Sequence, residues 1–367
     1  MSGIEALIPL RQSKRVLVVD DSAFMRRLIT EIVESRLEFL VVGTARDGAE
    51  AVQKVRTLRP DIVTLDIEMP GMDGLAALSQ IMTELPRPVV MLAAAGTEAN
   101  NSLTIRALEL GAVEFVRKPS GPVSVDLVVV RAELLRALAA AAAVVRVPQV
   151  VAQYHPPVAE ALAPRRLYAP LAASAAVVIA ASTGGPKALA DVMSCLPDSL
   201  DAAVLVVQHM PADFLASLAR RLTQLGPFPV SVAFNGQPVM SRHVYLAPGD
   251  LHMSVTVEKN LPVIRTDAGP AICGVRPSAN PLFISAARVF GENLVGVVLT
   301  GMGRDGSDGL MAVRAAGGGA IVQDRASSII YGMPRSALAA AGADRVVAPR
   351  LVGSAVADLF RTRRAVA

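Results

Sequence analysis

The chain has 367 residues, of which 52% are hydrophobic and 19% are charged, and its formal net charge is only +4. This length favours two domains, and this composition excludes an intrinsically disordered protein. The basic residues are scattered along the sequence, which argues against a nucleic-acid-binding protein. The two cysteines, Cys195 and Cys273, are too far apart in sequence to indicate a zinc cluster or a disulfide framework.

Hydropathy argues against a membrane protein. Charged residues interrupt the apolar region after Gly121, so no uninterrupted apolar run reaches the ~18 residues that a bilayer span requires. The first residues, MSGIEALIPLRQSKR, lack the basic start, apolar run and cleavage site of a signal peptide. We therefore expect a cytoplasmic protein without membrane insertion.

Short apolar segments alternate with amphipathic segments over the first part of the chain. The apolar segments are rich in β-branched residues, as is typical of strands buried on both faces, and the segments between them have helical periodicity. This alternation predicts a doubly wound parallel sheet with helices on both faces. The predicted strands are residues 16–19, 40–42, 62–65, 89–92 and 114–116.

A proline-rich stretch without periodicity begins near residue 145 and predicts a linker, after which the alternation resumes as a second α/β domain. Its predicted strands are 176–180, 204–207 and 295–299, and its predicted helices are 186–195, 214–225 and 308–316. We assign residues 14–135 to the first domain, 136–172 to the linker and 173–363 to the second domain. Sites in such sheets form at the carboxyl ends of the strands, so the residues that follow each strand are the candidates.

Four charged residues follow the strands of the first domain. Asp20 and Asp21 follow the first strand, Asp66 follows the third, and Lys118 follows the fifth. Three carboxylates at one sheet edge favour a hard cation such as Mg²⁺, beside which an aspartate can accept a phosphoryl group. A lysine there can neutralise the phosphoryl charge. Any one of these aspartates alone could be a turn residue, so the prediction depends on the whole set.

Together with the stretch DIEMPGMDG at 66–74, this set resembles the receiver domain of two-component response regulators, which has a flavodoxin-like fold. The resemblance covers about residues 14–135. It implies that Asp66 accepts phosphate from a histidine kinase and that Lys118 supports the phosphoryl group. It also implies that Asp20, Asp21 and Asp66 bind the Mg²⁺ required for phosphorylation.

One position departs from the receiver pattern. Receivers usually carry Ser or Thr at the end of the fourth strand, where this chain has Ala93. Alanine cannot make the hydrogen bond by which that hydroxyl meets the phosphoryl group. We therefore predict that phosphorylation couples weakly to the second domain.

Ser182 follows the first strand of the second domain and precedes the stretch TGGP at 183–186. The glycines permit a tight turn, and Pro186 suits the first turn of a helix. A serine at such a junction can serve as a nucleophile. The same turn could instead cradle a phosphate, and it is not the G-x-S-x-G elbow of other hydrolases.

His209 and Asp305 each follow a strand of the same predicted domain as Ser182. Serine, histidine and aspartate at neighbouring strand ends fit a Ser-His-Asp triad, in which the serine attacks a carbonyl, the histidine transfers its proton and the aspartate orients the imidazole. His209 could instead be a strand-end residue, and Asp305 a turn residue. The remaining histidines, His155, His243 and His252, compete for the role of base, although His155 lies in the linker.

Six motifs in sequence order make the second domain similar to the chemotaxis protein-glutamate methylesterases of the CheB type. They are ASTGG (181–185), QHMP (208–211), YLAPGD (245–250), RPS (276–278), LTGMGRDG (299–306) and GMP (332–334). The resemblance implies that Ser182, His209 and Asp305 are the catalytic triad. It also implies that the Met302 backbone N–H donates to the oxyanion and that Thr183 helps at the edge of the active site.

The implied reaction is hydrolysis of glutamate γ-methyl esters on methyl-accepting chemoreceptors with release of methanol, and deamidation of receptor glutamines. Ester hydrolysis would need no cofactor, and the segment Arg276-Pro277-Ser278 would lie near the site and help to hold the substrate segment. The resemblance further implies that phosphorylation of the receiver activates the esterase.

Two rival interpretations stay open at this point. A response regulator with a DNA-binding output would need a compact helical module with a basic recognition helix, which the second domain does not predict. The second is a scaffold with the esterase fold but without useful catalysis, against which the intact Ser182, His209 and Asp305 argue.

Overall fold

The computed structural model describes residues 13–94, 97–119, 126–144 and 171–364. These residues form two compact units, each built on its own sheet. The predicted linker 136–172 begins inside a helix that ends at Ala142, and residues 145–170 of that prediction lie outside the described residues.

The first unit is built on a five-stranded sheet. The strands are β1 (Lys14–Val19), β2 (Phe39–Ala45), β3 (Ile62–Asp66), β4 (Val89–Ala93) and β5 (Glu114–Arg117). The helices that alternate with them in sequence are α1 (Ala23–Glu34), α2 (Gly48–Leu58), α3 (Gly74–Glu84), α4 (Glu98–Glu109) and α5 (Asp126–Ala142). The sheet order is β2-β1-β3-β4-β5, and the pairs β1–β2, β1–β3 and β3–β4 are parallel.

Local sequence explains where these elements begin. Every residue of β3 and β4 is buried, and both strands consist mainly of apolar residues, as strands covered on both faces do. The side chains of Asp47 and Asp73 cap α2 and α3 by accepting hydrogen bonds from Glu50 N (2.8 Å) and Ala76 N (2.7 Å). Such caps satisfy backbone donors that the first helical turn leaves unpaired.

The second unit is built on a seven-stranded sheet and a separate hairpin. Its strands are β6 (Ala176–Ala181), β7 (Ala203–Gln208), β8 (Val230–Val232), β9 (Val244–Leu246), β10 (His252–Glu258), β11 (Leu261–Asp267), β12 (Leu294–Val298), β13 (Gly319–Gln323) and β14 (Arg345–Val347). Its helices are α6 (Gly185–Ser194), α7 (Ala212–Leu225), α8 (Ala279–Phe290), α9 (Ser307–Ala315), α10 (Met333–Ala341) and α11 (Val352–Arg364). The order is β14-β13-β12-β6-β7-β9-β8 with parallel pairs throughout, while β10 and β11 pair antiparallel.

Two hydrophobic cores lie on opposite faces of the seven-stranded sheet. Along β6, Val177 and Ile179 belong to one core, while Val178 and Ala180 belong to the other. This alternation is the two-residue period of a strand, and both faces are apolar because helices cover both. The central strands are therefore fixed in register, which places their last residues reproducibly at the sheet edge.

The prediction of two doubly wound parallel-sheet domains is confirmed. Each predicted strand overlaps an observed one, and the predicted helix 186–195 is α6, shifted by one residue. In the second domain, the sequence did not predict the three-residue strands β8, β9 and β14, strand β13, the β10–β11 hairpin, or the helices α8, α10 and α11. Within the described ranges, no helix combines the length and the apolar character that a membrane span requires.

Gly74, the first residue of α3, lies against the end of β3. A Cβ added there would lie 1.9 Å from the Asp66 carbonyl oxygen and 2.8 Å from Ile67 Cα. We expect Gly74→Ala to lower the free energy of unfolding by about 2 kcal/mol, because the clashing atoms are backbone. Urea denaturation measures the change. Thr83→Ala, at an exposed position of the same helix, is the control, and an equal effect of both substitutions would contradict the steric explanation.

Candidate functional sites

The structure brings the four charged residues of the first unit together. Asp20 follows β1, Asp66 ends β3 and Lys118 follows β5. One carboxylate oxygen each from Asp20, Asp21 and Asp66 lies within 4.8 Å of the others. Lys118 Nζ lies 2.8 Å from Asp20 Oδ2 and 2.6 Å from Asp66 Oδ2. Asp20 and Asp66 are buried, whereas Asp21 is exposed, so the cluster is open to solvent on one side.

Backbone contacts fix the two buried carboxylates. The Ser22 N–H donates to Asp20 Oδ1 (2.9 Å), and the Glu68 N–H donates to Asp66 Oδ1 (3.3 Å). Arg26 Nη1 donates to the carbonyl oxygens of Asp20 (2.7 Å) and Asp21 (2.9 Å). Arg26 was not predicted from the sequence, since a basic residue in the first turn of an amphipathic helix carries no distinguishing signal.

Burial controls the protonation of this cluster. It raises the pKa of Asp66 to about 6, although the ion pair with Lys118 acts in the opposite direction. Burial also acts to lower the pKa of Lys118, but its contacts with Asp20 and Asp66 outweigh this and raise it. Three carboxylates against one ammonium group leave excess negative charge. Their oxygens and spacing fit a hard divalent cation such as Mg²⁺.

Ala93 lies beside this cluster. It is the last residue of β4 and is buried, and its carbonyl oxygen accepts a hydrogen bond from the Lys118 N–H (2.8 Å). The position is therefore at the same sheet edge as the carboxylates, and its side chain offers only a methyl group.

In the second unit, three neighbouring strands carry the predicted triad. Ser182 follows β6, His209 follows β7, and Asp305 lies in the loop after β12. His209 Nε2 lies 2.9 Å from Asp305 Oδ2. A carboxylate only accepts hydrogen bonds, so Nε2 carries the hydrogen and Nδ1 is left as the basic nitrogen. Within the described residues, the Ser182 hydroxyl and the His209 ring do not form a hydrogen bond with each other. Catalytic hydrogen bonds of this kind often form only when substrate binds.

A buried amide ties the serine turn to the histidine. Gln208 Nε2 donates to the carbonyl oxygens of Ser182 and His209, each at 3.0 Å. The Ser182 N–H donates to Thr300 O (3.0 Å), which joins the turn to the end of β12. A Cβ on Gly185 would lie 1.9 Å from Gln208 Oε1, so a larger residue there would displace the Gln208 amide. This role of Gln208 was not predicted from its motif, although a polar residue that ends an apolar strand is a signal for it.

Asp305 accepts three hydrogen bonds in a buried position. Besides the His209 contact, Ser278 Oγ donates to Oδ1 (2.5 Å), and the Ala279 N–H donates to Oδ2 (2.7 Å). Ser278 caps α8 and Ala279 begins it, so the carboxylate lies at a helix N-terminus, where negative charge is favoured. Burial acts to raise the pKa of Asp305, but the bonds from His209, Ser278 and Ala279 outweigh it and lower the pKa below the ordinary value.

The segment 301–302 lies directly beside the serine. A Cβ on Gly301 would lie 2.7 Å from Ser182 Cβ. The N–H groups of Gly332 (3.1 Å) and Met333 (2.8 Å) both donate to Gly301 O, which fixes this segment. Met302 is 50% exposed, and among the described residues its own N–H has no acceptor. A backbone donor is thus available next to Ser182.

Two other predicted residues make hydrogen bonds through or to the backbone. Thr183, expected at the edge of the active site, is buried, and its carbonyl oxygen accepts a hydrogen bond from Thr300 Oγ1 (3.0 Å). Arg276, expected to help hold the substrate, donates through Nη1 to the carbonyl oxygens of Ala268 (2.9 Å) and Gly269 (3.0 Å).

The competing histidines have other partners. His243 Nε2 lies 2.8 Å from Ser231 Oγ, and both ring nitrogens of His252 are hydrogen-bonded to backbone groups. His155 lies outside the described residues. Among the histidines that the structure describes, His209 alone contacts a carboxylate.

Comparisons with known proteins cover both units. The family model described as CheB methylesterase matches residues 177–356, and the response regulator receiver domain matches residues 16–129. A Pyrococcus horikoshii protein named protein-glutamate methylesterase/protein-glutamine glutaminase is 44% identical over 341 residues, covering 93% of this chain and 92% of that protein. A Symbiobacterium thermophilum protein of the same name is 46% identical over 352 residues, covering 91% and 93%. The crystal structure of the Thermotoga maritima CheB methylesterase catalytic domain is 34% identical, with a TM-score of 0.49, and covers 50% of this chain and 98% of that chain.

The raised pKa of Asp66 predicts a pH-dependent effect of Asp66→Asn on stability. The ordinary pKa is 3.8 and the folded value is about 6, so ionised Asp66 destabilises the fold as the pH rises through 6. Without Mg²⁺, we expect Asp66→Asn to be more stable than the wild type by on the order of 1 kcal/mol at pH 8, with the difference shrinking towards pH 4. Urea denaturation of both proteins between pH 4 and pH 8 measures this difference in the free energy of unfolding.

Glu31→Gln, which changes an exposed carboxylate in the same unit, is the control and should leave stability unchanged at every pH. A stabilisation by Asp66→Asn that did not vary with pH would contradict the burial of an ionised Asp66.

Proposed function

The chain belongs to the protein-glutamate methylesterase/protein-glutamine glutaminase family, and from that membership we propose that it demethylates chemoreceptor glutamate γ-methyl esters under the control of receiver phosphorylation. Membership makes it a hydrolase of chemotaxis type. The observation that carries the proposal is the contact between His209 and Asp305 beside Ser182, since this pair leaves one basic imidazole nitrogen for a serine nucleophile.

The esterase step follows from these side chains. Ser182 Oγ attacks the ester carbonyl carbon while its proton passes to His209 Nδ1. The negative charge that develops on the carbonyl oxygen is stabilised by the Met302 N–H, a kind of donor that is worth ~3 kcal/mol of barrier. The bond to the methoxy oxygen then breaks, and His209 returns the proton to release methanol.

Water completes the cycle. His209 Nδ1 takes a proton from a water molecule, whose oxygen attacks the acyl carbon of the Ser182 ester. The bond between that carbon and Ser182 Oγ then breaks, and His209 returns the proton to Ser182 Oγ, which releases the glutamate side chain. Ionised Asp305 keeps the His209 hydrogen on Nε2 and stabilises the imidazolium that forms in each step. The same sequence applied to a glutamine side chain would release ammonia, and neither reaction needs a metal.

The receiver site supports a second reaction, transfer of a phosphoryl group from a histidine kinase to a carboxylate oxygen of Asp66. Asp20, Asp21 and Asp66 would hold Mg²⁺, which when bound neutralises charge on the transferring phosphoryl group. Lys118 Nζ would pair with the phosphoryl oxygens in place of its present contact with Asp66. In this proposal the histidine kinase and the methylated part of the chemoreceptor both act inside the cell, so we place the protein in the cytoplasm.

The assay that tests this proposal is methanol release from methylated receptor membranes. We expect Ser182→Ala to reduce the rate by about a thousandfold or more, because it removes the nucleophile. Ser194→Ala, at an exposed serine of α6, should leave the rate unchanged. A small phosphodonor with Mg²⁺ should raise the wild-type rate but not that of Asp66→Asn. Folded wild type that released no methanol under any of these conditions would favour the scaffold interpretation.

Ala93, at the end of β4, leads to a separate prediction about how strongly the phosphodonor activates methanol release. Ala93→Thr restores a hydroxyl at the sheet edge where Lys118 and Asp66 lie, so the phosphodonor should raise methanol release more strongly in this variant than in the wild type. Ala94→Thr, one residue further along the chain, is the matched control and should respond as the wild type does. An unchanged response of Ala93→Thr would remove the proposed reason for weak coupling.

A further inference from the structure

His252 is a buried histidine behind the esterase site. It is the first residue of β10 and is 2% exposed. Its Nδ1 accepts a hydrogen bond from the Ser278 N–H (3.1 Å), and its Nε2 lies 3.0 Å from the Pro270 carbonyl oxygen. Since an N–H only donates and a carbonyl oxygen only accepts, the ring must be the tautomer with hydrogen on Nε2 and none on Nδ1.

The residue that His252 holds controls the surroundings of Asp305. Ser278 donates its hydroxyl hydrogen to Asp305 Oδ1 (2.5 Å), and its hydroxyl oxygen accepts from the Asn280 N–H (3.3 Å). The next residue, Ala279, donates its N–H to Asp305 Oδ2 (2.7 Å). The position of Ser278 therefore sets two of the three hydrogen bonds that Asp305 accepts, the third being that of His209.

We propose that His252 is a positioning residue for the esterase: by binding the Ser278 N–H it fixes the N-terminus of α8, and through it the carboxylate that orients His209. This inference rests on the proposed function, because it explains how the triad geometry is maintained. His252 touches neither the substrate nor the reacting atoms. Its contribution is the direction of the Asp305 carboxylate, on which the proton position of His209 depends.

Two amide side chains separate this role from simple filling of space. The oxygen of an asparagine can take the place of Nδ1, whereas a glutamine amide reaches the place of Nε2. We expect His252→Phe to lower kcat for methanol release by about tenfold with KM unchanged, since one hydrogen bond is lost at a distance from the substrate. His252→Asn should recover most of that loss, and His252→Gln should not.

His243→Gln is the control. His243 is a half-buried histidine of the same unit that contacts Ser231 rather than the triad, so its substitution should leave kcat unchanged. Equal losses in His252→Asn and His252→Gln, or a change in KM instead of kcat, would overturn the positioning role.

A spectroscopic measurement keeps the test independent of activity and of variants that fold poorly. The chain has only four histidines, so ¹⁵N-histidine NMR of the full-length protein gives few resonances. In the wild type, His252 should be protonated on Nε2 alone, and protonation on Nδ1 would overturn the proposal. The His209 resonances should shift in His252→Gln but stay in place in His252→Asn.

The two proposals fail in different ways. Absence of methanol release that depends on Ser182 in the wild type would reject the proposed esterase function, while the NMR comparison would still decide whether His252 controls His209. Normal release by the wild type together with unshifted His209 resonances in every folded His252 variant would reject the positioning role alone.

Discussion

Both sites depend on one topological constraint, the reversal of strand order beside the first strand of each sheet. From β1 the chain proceeds to β2 on one side and to β3, β4 and β5 on the other; from β6 it proceeds to β7, β9 and β8 on one side and to β12, β13 and β14 on the other. At such a point the connections leave on opposite faces, which opens a crevice at the carboxyl edge. Asp20 and Asp66 flank the first crevice, and Ser182 and Asp305 flank the second.

The residues at these crevices could be predicted because buried parallel strands are recognisable in the sequence as short apolar runs. A run such as β6 is apolar on both faces and stops at the first polar residue, so Ser182 and His209 were identified from the sequence as strand-end residues. Strand order could not be predicted in the same way, because it depends on which face of the sheet each helix covers. The helices have similar amphipathic patterns, so these patterns do not distinguish one arrangement from another. The three-residue strands at the sheet edges carry too little periodicity to be recognised.

The support of the site was less predictable than the site itself. Ser278 and Ala279 reach Asp305 from a helix that begins well before it in sequence, and Gln208 reaches two carbonyl oxygens across adjacent turns. These hydrogen bonds exist only once the sheet is assembled, so no local pattern encodes them. From the sequence, His252 was accordingly a candidate for the base. In the structure both of its ring nitrogens are hydrogen-bonded to backbone groups.

The packing of Gly185 against Gln208 has a consequence for how this fold can diverge. A side chain at 185 would occupy the space of the Gln208 amide oxygen, so position 185 can gain a side chain only if the Gln208 amide moves or is replaced by a smaller residue. Relatives that carry a larger residue at 185 should have a smaller one at 208, and should then need another donor for the two carbonyl oxygens that Gln208 now binds. A larger residue at 185 is therefore tied to a change at 208, and a design that transplants the serine turn to another sheet must include both residues.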